Sequence, residues 1–156
     1  MPITSMKISY AAPPPSKPPL MAITLHRPWP YAVINLGKPI ENRPWPCPLK
    51  PGSFLAIHAG KKYDRQGARW IRETLDLEFP LDGPEHPTGI VAIARFVGNV
   101  TASDSPWFVG PIGWQFADVV EILPVQCNGQ QRLWRVSGDL LLAVREAYRT
   151  ATQVAA

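Results

Sequence analysis

Cysteine is scarce: Cys47 and Cys127 are the only two in 156 residues. Two thiols build neither a disulfide framework nor a four-thiolate zinc site. Neither sits beside a cation or another thiol that would lower its pKa, so both are expected to be inert. Histidine is equally thin. His26, His58 and His86 stand 32 and 28 residues apart, without the close pairing of metal ligands, and no metal or cofactor is expected. No glycine-rich phosphate loop and no G-x-S-x-G elbow is present. No apolar run approaches the roughly 18 residues of a spanning helix, which argues against a membrane partner. The first residues lack the apolar core of a signal peptide, so the expected compartment is the cytoplasm.

Proline is plentiful, at 19 residues, where about 5% is usual. Six prolines fall between Met1 and Leu20. Proline removes amide donors and favours extended, solvated chain, so residues 1–20 read as a disordered arm and a candidate ligand for a protein partner. All six tryptophans follow residue 20. The folded body is expected over 21–150, a length that fits one domain.

The formal net charge of +4 conceals a sharp division. Thr24–Arg72 holds nine Lys/Arg and two acids, whereas Glu73–Gln131 holds one Arg and eight acids. A basic first half suits phosphate, provided the two halves do not interleave in space.

Hydrophobic spacing predicts strands over Met21–Leu25, Ile40–Arg43, Gly52–Ala59, Gly89–Thr101 (bulged at Gly98) and Gly113–Leu123. A short helix is expected over Tyr31–Leu36, a second from an Asp64 cap to about Glu78, and a last one capped by Ser137. Leu140, Val144, Ala147, Tyr148 and Ala151 form the apolar stripe of that last helix. The fold class is therefore mixed α+β.

Polar chemistry concentrates in the first half. Glu41 and Arg43 lie two apart on a strand and share a face, with Lys38 just before it. In a cleft, such a set can hold a phosphate and also orient or abstract a proton; on a surface it is an ordinary ion pair.

The order of several motifs resembles the ASCH domain family of the PUA-like superfamily. They are T-L-x-x-P-W at Thr24–Trp29, G-K-x-x-E-x-R at Gly37–Arg43, I-H-A-G-K at Ile57–Lys61, G-I-V-A at Gly89–Ala92 and W-x-F at Trp114–Phe116. The resemblance spans about Met21–Leu142. It implies a small, curved β-barrel flanked by helices, with an RNA-binding cleft beside the barrel. It also implies a possible hydrolase, since family members are similar to enzymes that deacylate acetylated cytidine, and ribonuclease activity has been ascribed to others. Lys38 matches the signature lysine, a base or proton shuttle in the hydrolase branch. Arg43 matches the signature arginine, an anchor for phosphate or carbonyl. Glu41 stands where the deacylating branch has a nucleophilic threonine. A carboxylate cannot replace that hydroxyl, but it can act as a base toward water.

The remaining candidates carry two readings each. Trp29 either stacks on a base or packs its helix. Trp107, in an expected loop, is the better exposed stacking platform. Arg27 precedes a helix N-terminus and so suits phosphate. Lys61 and Lys62 are expected to open a helix, where cations gain nothing from the dipole, which points to an external anion or to plain solvation. His58, expected at a strand end, is either an acid or a structural histidine. The leading expectation is an RNA or nucleotide binder using Arg27, Trp29, Lys38, Arg43, Lys61, Lys62 and Trp107. The alternatives are a hydrolase using Lys38, Glu41 and His58, and an adaptor acting through the proline-rich arm.

Overall fold

The computed structural model describes residues 17–154. The proline-rich arm lies outside them apart from its last four residues. Leu20 already belongs to the body: its carbonyl accepts from Val136 N, and its side chain packs on the core.

The elements are β1 (Met21–Arg27), α1 (Trp29–Asn35), β2 (Ile40–Arg43), β3 (Phe54–Tyr63), α2 (Arg65–Thr74), β4 (Gly89–Val100), β5 (Ile112–Val125), β6 (Trp134–Arg135) and α3 (Gly138–Val154). All strands join one sheet in the order β2-β5-β4-β3-β1-β6. β1 and β3 are parallel, and every other pairing is antiparallel. The fold is thus mixed α+β. Every expected element forms, and the two-residue β6 adds a strand too short to leave a period in the sequence.

Alternation of side chains gives the sheet two buried faces. On one, Ile23 and Leu25 of β1 meet Leu55 and Ile57 of β3, Phe96 of β4, and Trp114 and Phe116 of β5. On the other, Ala22, Ala56, Ile90, Ile93 and Ile122 are covered by α3 through Val144 and its neighbours, the expected stripe. A third, smaller cluster (Ala32, Ile71 and Trp107) locks α1 and α2 to the 101–111 segment.

The ladder between β4 and β5 shifts register three times, once at Phe96/Gly98, where a bulge is expected. Bulges bend a strand and increase its twist. The sheet curls far enough for the Arg43 guanidinium on edge strand β2 to donate to the Thr24 carbonyl on β1, at 3.3 Å. It does not close into a barrel: β2 and β6 remain its two edges. The barrel implied by the family resemblance is therefore replaced by an open, curled sheet.

Two local departures have clear causes. The second helix stops at Thr74 rather than near Glu78, because Asp76 takes a left-handed φ of 53°. β3 runs on to Tyr63, so Lys61 and Lys62 end a strand instead of opening a helix. The charge halves interleave. Acidic β5 lies between β2 and β4, and Arg27 pairs with Asp82 at 2.7 Å. Among the described residues no helix is long and apolar enough to cross a membrane.

Gly67, inside α2, shows the tightness of this packing. A Cβ there would lie 2.5 Å from both Trp29 Cζ2 and Asp64 Oδ2. In an open helix interior, alanine is favoured over glycine by about 1 kcal/mol. Here the sign reverses. Gly67→Ala is expected to destabilise by about 1–3 kcal/mol, the usual cost of overpacking, read as a lower urea midpoint. An unchanged or raised midpoint would contradict this packing.

Candidate functional site

The site grows from four residues of β2. Ile40 is buried in the core, and Asn42 clamps the neighbouring loop. Its Nδ2 donates to Trp107 O at 2.9 Å, and its Oδ1 accepts from Val109 N and Gly110 N at 3.0 and 3.2 Å. Glu41 and Arg43, the alternate pair, meet across the strand: Arg43 Nε lies 3.4 Å from Glu41 Oε1. Lys38 joins them because Gly37, at a φ of 68°, turns the chain sharply after α1. The Lys38 ammonium donates to Glu41 Oε2 at 3.1 Å and to the Ile40 carbonyl, and lies 5.2 Å from the Trp29 ring centroid. Each carboxylate oxygen thus faces its own cation.

Exposure grades across the three. The Lys38 side chain is 2% exposed, Glu41 13% and Arg43 24%. Arg43 Nε has no hydrogen-bonded partner among the described residues, since its approach to Glu41 is an ion contact only. The cluster carries one formal net positive charge, and Arg43 is its most exposed side chain. Clefts of about 710 and 1060 Å³ lie elsewhere, and neither is lined by Lys38, Glu41 or Arg43. No protein-family model matches this sequence, and no curated protein matches it either.

Other expected site residues are distributed differently. Arg27 makes four hydrogen bonds within the protein. It donates to the carbonyls of Gly60, Lys61 and His86 and to Asp82, at 2.6–3.2 Å. That set fastens the end of β1 to β3 and to the 82–86 segment, so most of the Arg27 donors serve the fold. Trp29 packs: its indole N–H donates to Asp64, the α2 cap, and its ring lies against Trp70 and Lys38. Trp107 is buried in the third cluster, so it is not an exposed stacking platform. A large aromatic in a loop is drawn inward when helices leave an apolar gap beside it.

His58 lies in the middle of β3, not at its end. It is buried, with Nε2 3.0 Å from Cys127 O and its ring edge-on to Trp134 at 5.6 Å. Trp134 belongs to the α3-side cluster, whereas Lys38 rests on Trp29 of the opposite cluster. His58 is therefore separated from Lys38 and Glu41 by the sheet and does not share their chemistry. Lys61 and Lys62 are exposed and remain available to an anion. Among the described residues no group of three His, Cys, Asp or Glu is close enough to hold a metal.

Asn42 is the site residue that sequence reasoning passed over. The available signal was an asparagine inside a short strand, where that residue type is unfavourable unless its amide is used.

Burial raises the pKa of both Cys47 and Cys127, against smaller opposing hydrogen bonds to the backbone at Leu49 and Ile90. Protonated thiols are poor nucleophiles. At pH 8 both cysteines should react with a disulfide reagent more slowly in the folded protein than in denaturant. Fast labelling of the native protein would contradict the raised pKa values. The sign for stability follows. The contribution from the protonated thiols is full below pH 9.0, their ordinary value, and declines as pH rises from there through the folded values.

Proposed function

We propose that this protein is a PUA-like, ASCH-type binder of RNA or of a nucleotide, and that the ligand meets the Lys38–Glu41–Arg43 cluster. The single observation carrying this is the Arg43 side chain, 24% exposed and held beside Glu41 and the Thr24 carbonyl. Bringing three charges together out of water is costly, and a well-packed apolar trio often does as well for stability. A set of this kind that also reaches solvent is a candidate for recognition. Arg43 suits phosphate or a base carbonyl through paired N–H donors. The Glu41 carboxylate accepts from a base amino group. Lys38 neutralises Glu41 and fixes its orientation. The curled sheet with α1 and α2 beside it supports the PUA-like reading, as does the sequence signature that lies on β2.

The hydrolase reading rests on the 3.1 Å contact between Lys38 and Glu41, which gives a proton relay to water at Glu41. It proceeds without His58.

The test is a titration of intrinsic tryptophan fluorescence with short single-stranded RNA at low and high salt. Trp29 beneath Lys38 is the expected reporter. Binding should weaken with salt, as phosphate contacts release counterions. Arg43→Ala should lose roughly tenfold or more in affinity, the order of about 1.5–3 kcal/mol for a charge-assisted hydrogen bond. Lys61→Ala/Lys62→Ala should flatten the salt dependence. The absence of saturable binding at low salt, or an Arg43→Ala protein that binds like wild type, would overturn the assignment. Strand cleavage that is lost in both Lys38→Ala and Glu41→Gln would establish the hydrolase instead.

A further inference from the structure

The groove of about 1060 Å³ lies at the other end of β1, where the strand begins, and is walled by the start of β3, the middle of β4 and the inner face of α3. Its floor is apolar, formed by Leu49, Ile93, Leu133, Leu141 and Val144. Its rim is of one sign: Lys17, Lys50, Arg95 and Arg145 line it, and no Asp or Glu does. Lys50 and Arg145 are exposed. Among the described residues no carboxylate pairs with Lys50, Arg95 or Arg145. Arg95 is held in place, 4.0 Å over the Phe54 ring and donating to the Gly52 carbonyl at 2.8 Å. Among the described residues its other donors have no partner. Phe54 itself is 42% exposed and adds apolar surface to the groove wall.

We propose that this groove binds an amphipathic anion, specifically an acyl chain ending in a carboxylate. The floor accepts the chain, and the fixed guanidinium, assisted by Lys50 and Arg145, accepts the head group. Charge complementarity selects the anion: four cations are gathered around an apolar trough with no counter-charge. Two other ligand classes fit less well. β1, β3 and β4 each have neighbours on both sides, so no strand edge is free to pair with a peptide. The groove's two aromatic rings, Phe54 and Tyr148, meet at 70°, so they do not form a platform of parallel rings for successive bases.

Dodecanoate, kept below the concentration at which it forms micelles, is the probe, titrated calorimetrically into the full-length protein. Dodecyltrimethylammonium, with the same chain and opposite charge, is the comparison. Dodecanoate should bind saturably with one-to-one stoichiometry and at least tenfold more tightly than the ammonium amphiphile. Lys50→Gln/Arg145→Gln, both exposed and expected to leave the melting temperature unchanged, should weaken dodecanoate at least tenfold. Arg95→Gln should weaken it further. Arg43→Ala should bind dodecanoate as wild type does, which keeps this groove distinct from the proposed nucleotide site. Equal affinity for the two amphiphiles, wild-type affinity in Lys50→Gln/Arg145→Gln, or no binding of dodecanoate would each overturn the proposal. Displacement of dodecanoate by a uridine oligonucleotide in the Arg43→Ala protein would assign the groove to nucleic acid and overturn it as well.

Discussion

Trp114 has no exposed surface, and its one polar atom, the indole N–H, finds its acceptor in the Trp45 carbonyl at 2.9 Å. The Trp45 ring meets it edge-on at 4.8 Å. This pairing sits in the hollow of the curled sheet and ties the proline-rich loop after β2 to β5. Asn99 on β4 completes the attachment by exchanging two hydrogen bonds with Cys47. A large ring in a hollow needs the strands to wrap around it, and the three register shifts between β4 and β5 provide that wrap. Glu41 lies directly opposite Trp114 in the β2–β5 ladder. The position of the charged cluster is therefore a consequence of how the sheet closes over this tryptophan.

The cluster itself is electrostatically economical. Lys38 is removed from water, but its ammonium keeps a carboxylate and a backbone carbonyl as acceptors, with an aromatic face beneath. Without Glu41 it would be an uncompensated buried charge, the situation in which loss of one partner is most damaging. Arg43 stands at the boundary. It links β2 to β1 through the Thr24 carbonyl while its side chain stays partly exposed. The same cation thus bridges β2 and β1 and remains the most exposed member of the cluster.

The molecule distributes its cations by task. Arg27 spends its donors on three carbonyls and Asp82 and works as a structural clamp. Lys38 and Arg43 surround one carboxylate. Lys50, Arg95 and Arg145 ring an apolar groove without any carboxylate among the residues that line it. Residues of the same type, drawn from one sequence, therefore differ in availability because of the acceptors that the fold places beside them.

The alternation of apolar residues in β1 and β3, the Asp64 cap and the stripe on α3 were legible locally, because each depends only on the period of its own element. So was the Glu41–Arg43 pairing, since a strand places alternate residues on one face whatever surrounds it. Tertiary structure alone decided which side of the sheet each residue occupies. His58 and Lys38 look like neighbours in chemistry, yet they pack in opposite cores. Trp107 reads as a loop residue, but it fills the gap between α1 and α2. The open sheet in place of a barrel follows from hydrogen bonds between β2 and β5 on one side and β1 and β6 on the other. The reason is common to all three. Periodicity reports a residue's angle about its own element, whereas burial and partnership depend on elements tens of residues away.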